Sequence, residues 1–133
     1  MSTTAVANPP PIPPASARGL LAKFTDDAAR KWVSARDLLR MCTDLHTEDI
    51  NYSAESLTEL AGDALDAALE GYDPMKIDAA HSEMWRAAAV IEYRMNDPRT
   101  ECDEVCVLEG IHFLMESSME LVMEALKNQG DEA

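Results

Sequence analysis

Aromatic residues make up only 5% of this 133-residue chain, and its few β-branched residues show no sustained alternation. Strands draw on β-branched and aromatic side chains at period two, so this scarcity argues against a sheet. No run approaches the ~20 apolar residues that a membrane-spanning helix needs. The N-terminus also lacks the basic start and apolar run of a secretory signal. There is no G-x-S-x-G turn and no phosphate-cradling loop, and only five glycines are present in all, so nothing argues for nucleophilic or nucleotide chemistry. The three cysteines are an odd number, and Cys102 and Cys106 lie one helical turn apart. Free thiols in a reducing cytosol fit that pattern better than a disulfide framework. The expected location is therefore cytoplasmic, and neither an enzyme activity nor a cofactor is expected.

Positive charge is the other shortage. The net charge is −14, and residues 41–72 hold eight Asp/Glu with no Lys or Arg at all. Residues 1–40 carry the opposite bias, six Lys/Arg against three Asp/Glu. An acidic body repels phosphate, which argues against direct nucleic-acid or anionic-membrane binding and favours a basic protein partner, including one that itself binds nucleic acid.

What is abundant is Ala, Leu and Met: strong helix formers and a flexible gap-filler. The expected fold is all-α, a small three- to four-helix bundle with a disordered Pro-rich N-terminal tail and a C-terminal antiparallel helical hairpin. One domain is expected: a tail over 1–22, where five of the six residues Pro9 to Pro14 are proline, a bundle over 23–128, and a frayed end over 129–133.

The spacing predicts a basic helix from Thr25 to about Met41, capped by Thr25 and lined by Phe24, Ala28, Trp32, Ala35, Leu39 and Cys42. Residues 43–52 read as a polar loop. Ser53 caps the next helix, whose apolar face is Leu57, Leu60, Ala61, Ala64, Leu65, Ala68 and Leu69, ending at Gly71. Asp73-Pro74 starts a third helix running to about Met95, stopped by Asn96-Asp97-Pro98. The fourth, from Thr100 to Lys127, opens on a Thr100…Asp103 capping pattern. It carries two apolar lines, one through Val105, Leu108, His112, Met115, Met119, Val122 and Leu126, the other through Val107, Ile111, Leu114, Ser118, Leu121 and Ala125. Together they exceed what one neighbouring helix covers, so the second helix or a symmetric homodimer is expected to cover the rest.

Three constellations carry possible chemistry. Asp78-x-x-His81 and Glu109-x-x-His112 each put a carboxylate and an imidazole on one helical face, the spacing of metal-binding helical bundles; the alternative is two hydrogen-bonded interface histidines. Cys102 and Cys106 sit among Glu101, Asp103 and Glu104, which oppose thiolate formation, so they read as unreactive. The acidic surface comprises Glu55, Glu59, Asp63, Asp66 and Glu70 on the second helix and Glu109, Glu116 and Glu120 on the fourth, with Phe113 falling among the latter. Regularly spaced carboxylates on rigid helices imitate a phosphate backbone. The expected function is thus a small regulatory or inhibitory protein that binds a basic partner through these residues, nucleic-acid mimicry being its sharpest form. The competing readings are a metal-binding bundle and a structural homodimer.

Overall fold

The computed structural model describes residues 14–71 and 73–132, with the side chains of 23–71 and 73–127. The fold is all-α. Four helices follow one another: α1 (Pro14–Leu45), α2 (Asp49–Gly71), α3 (Pro74–Met95) and α4 (Cys102–Glu132). Each packs on two others, α1 most extensively on α4 and α2 on α3, with further contacts of α3 on α4 and α1 on α2.

α3 has the bounds expected of it. Asp73 lies in extended conformation (φ −79°, ψ 116°) and its carboxylate accepts from the Met75 amide at 3.0 Å, while Pro74 fills the first helical position, where no amide is missed. The other helices are longer than their sequence signals. α1 begins at Pro14, so Thr25 is a buried interior residue and not a cap. The first thirteen residues of the expected tail lie outside the described residues, and the rest of it is helical backbone. The supposed loop over 43–52 shrinks to residues 46–48. Thr43 is helical and buried, with its hydroxyl donating to the Leu39 carbonyl one turn back at 2.9 Å, and the His46 amide closes the last turn on the Cys42 carbonyl. α4 continues through Glu132, past the fraying expected at 129. Its capping pattern is not used as such: the Thr100 hydroxyl donates back to the Arg94 carbonyl at 2.7 Å and ties the α3–α4 connection shut.

Buried side chains form one core: Trp32 and Leu39 from α1, Leu65 from α2, Ile77, Met84 and Ile91 from α3, and Leu108, Ile111, Met115 and Val122 from α4. Alanines 28, 35, 54, 61, 68, 80, 87, 88 and 125 fill the remaining inward positions, and their small side chains let the helices approach closely. Two side chains cross between helices to backbone oxygens. Trp32 Nε1 donates to the Thr58 carbonyl of α2 at 2.8 Å, and Ser118 Oγ donates to the Ala28 carbonyl of α1 at 2.6 Å. The indole lies so close to α2 that a Cβ at Gly62 would meet Trp32 Cδ1 at 3.3 Å.

Two details of the expected core are corrected. Leu60 is 53% exposed, and its place toward the core is taken by Thr58, which is buried and whose hydroxyl bonds to the Ala54 carbonyl. On α4 the buried seam runs between the two expected lines, through Glu104, Leu108, Ile111, Met115, Ser118, Val122 and Ala125. His112 is therefore at the edge of the core and not within it.

Candidate functional site

The four residues read as a possible metal site do not form one. Asp78 and Glu109 are exposed. His112 lies between Glu92 (3.5 Å) and Glu116 (3.4 Å), whereas His81 faces a depression shared with Met123 and Glu124. The connection between α3 and α4 spans residues 96–101, which sets His112 level with residue 92 and His81 level with the 120s. At a rise of 1.5 Å per residue the two imidazoles are roughly 15 Å apart along the helices. Among the described residues no group of three or more His, Cys, Asp or Glu is placed to hold a metal ion. Burial pushes the His81 imidazole below its ordinary value, and Asp78 opposes this only in part.

The acidic residues divide into two sets. Glu55 and Glu59 face Arg40 of α1, at 3.8 and 3.4 Å, so the basic helix neutralises that part of α2. Asp63, Asp66 and Glu70 continue along α2 exposed and without an ion pair among the described residues, as do Glu109 and Glu120 on α4. Phe113 stands beside the α4 set with 68% of its surface exposed. Glu116 is also exposed and is shared with His112.

Between α3 and α4 runs a groove that the sequence pattern did not reveal. Two adjoining depressions, of about 500 and 200 Å³, follow it from His81 to Glu92 and share Trp85, Glu116 and Met119 among their walls; a third, of about 630 Å³, adjoins them through Ala89 and Glu92 but is lined only by α3 and the connection that follows it. Trp85 is 62% exposed, an unusual position for the bulkiest apolar side chain.

A second feature was missed altogether. Glu104 is almost completely buried yet charged, at a point where all four helical arms meet. Arg94 of α3 grips it from Nε and Nη2, Asn51 Nδ2 of α2 donates to it at 3.0 Å, and His46 Nδ1, just beyond α1, lies 3.3 Å away. The Asn51 amide also donates to the His46 carbonyl at 2.9 Å. These two acceptors fix its orientation and leave its Oδ1 buried with no hydrogen-bond partner. Burial by itself would raise the Glu104 carboxyl. The hydrogen bonds from Arg94 and Asn51, with the charges of Arg94 and His46, outweigh burial and hold it below its ordinary value. Cys42, buried next to this network, is pushed up to about 11 by desolvation and then by the Glu104 charge. Cys102 and Cys106 are exposed.

No helix among the described residues is long and apolar enough to cross a membrane. No protein-family model, curated protein or solved structure matches the chain.

Proposed function

We propose that this protein is a non-enzymatic regulatory or inhibitory protein that acts by binding a basic protein partner through its acidic helical surface. One observation carries this reading. All six arginines whose side chains are described are already engaged by carboxylates of the same chain: Arg30 by Asp27, Arg36 by Asp37, Arg40 by Glu55 and Glu59, Arg86 by Glu83, Arg94 by Glu104 and Arg99 by Asp97. Asp63, Asp66, Glu70, Glu109 and Glu120 are left facing water. Like charges at helical spacing repel one another, so this surface gains from meeting cations. Asp63, Asp66 and Glu70 lie at i, i+3 and i+7, which sets them roughly 5 and 6 Å apart along the α2 axis. A row of that kind suits the groove of a nucleic-acid-binding protein, and mimicry of nucleic acid is the sharper form of the proposal.

The test is affinity capture from the native host with the wild-type chain and two charge-reversed variants, Asp63→Lys/Asp66→Lys/Glu70→Lys and Glu109→Lys/Glu116→Lys/Glu120→Lys. The expected result is a basic protein retained by the wild type, lost from at least one variant, and released by raised salt. For mimicry, double-stranded DNA in excess should displace it. Retention of the same proteins by all three chains would refute the proposal.

A further inference from the structure

We infer that the α3–α4 groove is a docking site for a cationic amphipathic helix of a partner protein. This rests on the acidic-surface reading and specifies both the place and the form of the partner. The groove spans His81 to Glu92 along α3, which is about 17 Å, or three helical turns, at 1.5 Å per residue. At its middle, Trp85 and Met119 form apolar walls, Ala88 and Ala89 leave a depression of about 200 Å³ between them, and Glu92, His112 and Glu116 border it. Antiparallel helices present ridges and a furrow that accept a third helix, with side chains at i, i+3/i+4 and i+7 entering successive depressions.

Charge decides the occupant. Glu92, Glu116, Glu120 and Glu124 line the groove together with His81 and His112, and no Lys or Arg is among the described lining residues. An apolar floor with a carboxylate rim matches a helix that carries a leucine-type stripe flanked by Lys or Arg. Such a helix also places a cation near the exposed face of Trp85. Met119 and Met123 adapt their shape to whatever apolar side chain enters. A second copy of this chain fits less well, since its corresponding surface brings the same carboxylates to the same place.

Trp85 provides the readout. The other tryptophan, Trp32, is buried and hydrogen-bonded, so a change in emission on binding reports the groove. An 18-residue synthetic peptide with leucines on one helical stripe and lysines elsewhere is titrated into the full chain. The expected result is a blue shift of Trp85 emission together with a gain in peptide helicity. A scrambled peptide of identical composition should bind at least tenfold more weakly, as should the designed peptide to Met123→Asp and to Glu120→Lys. Both substituted positions are exposed, and circular dichroism melts verify that these variants fold. Equal binding of the scrambled peptide, or an unmoved Trp85 emission, would overturn the proposal. So would a blue shift that grows with protein concentration in the absence of peptide alongside a doubled mass in light scattering, which would assign the groove to a second copy. The Asp63→Lys/Asp66→Lys/Glu70→Lys variant should bind the peptide as the wild type does. If host-partner capture fails in that variant but persists in Met123→Asp, the groove is refuted while the acidic-surface reading stands.

Discussion

Arg94 holds Glu104 with both arms of its guanidinium, Nε at 2.8 Å and Nη2 at 3.0 Å, at a point where the carboxylate is 1% exposed. Removing one partner of such a pair leaves the other charged and poorly solvated. Glu104→Leu alone and Arg94→Met alone are each expected to destabilise the fold by about 3–5 kcal/mol. The double variant should recover most of that loss, because a well-packed apolar pair replaces a buried ion pair at little net cost. Urea denaturation of the four chains gives the cycle, and additive losses would contradict it.

The same carboxylate sets an acid limit. A carboxyl held below its unfolded-state value binds its proton less readily when folded, so it stabilises the fold above that value and loses its contribution as pH falls through the folded one. For Glu104 the contribution is complete above its ordinary value of 4.5 and declines at lower pH. Urea midpoints measured from pH 7 down to pH 3 should fall in the wild type. They should fall less steeply in Glu104→Gln, and parallel slopes would assign the acid sensitivity to other carboxylates.

Thiol accessibility should separate the three cysteines. Cys102 and Cys106 are exposed, whereas Cys42 is 2% exposed with its thiol pushed up to about 11. A disulfide-exchange reagent at pH 8 should titrate two thiols rapidly and the third only on unfolding. Rapid reaction of all three would show that the end of α1 opens readily.

Gly62 should be intolerant of bulk for a reason visible in one contact. Alanine there gains up to about 1 kcal/mol of helix propensity but places its Cβ 3.3 Å from a buried indole, so Gly62→Ala is expected to be near neutral. Gly62→Leu is expected to cost about 2 kcal/mol or more through overpacking. Its loss should shrink in a Trp32→Phe background, measured as a coupling between the two sites in thermal or urea melts.

Much of the helical order was legible because its signals are local. Asp73-Pro74 and Asn96-Asp97-Pro98 bound α3 through backbone chemistry that any context would preserve. The stripe Ala28, Trp32, Ala35, Leu39 and Cys42 is buried as its spacing implies. The boundary between α1 and α2 was not legible, because Thr43 and Asn51 read as loop formers, and Asn51 meets its partner Glu104 only when α2 and α4 come together. Glu104 sits in the acidic run Glu101 to Glu104, and nothing local separates it from its neighbours. One signal was available: the line 104-108-111-115-118-122-125 lies midway between the two apolar lines of α4, and following it places Glu104 and Ser118 on the buried side. The groove depends on the register between α3 and α4, and that register follows from the length of the 96–101 connection.

The meeting of His46, Asn51, Arg94 and Glu104 takes one residue from each arm of the fold. The rest of the interior is rich in alanine, and alanine surfaces look much alike from one turn to the next. A helix that slid by a single turn would keep much of its apolar contact but would carry a buried charge or amide about 5.4 Å away from its partner. The network therefore acts as a registration mark, telling the correct alignment of otherwise interchangeable helices from the misaligned ones. In the Arg94→Met/Glu104→Leu chain this mark is gone: stability should be near that of the wild type, while NMR relaxation dispersion should reveal exchange between alternative packings, and a spectrum as quiet as the wild type's would show that alanine packing alone defines the alignment.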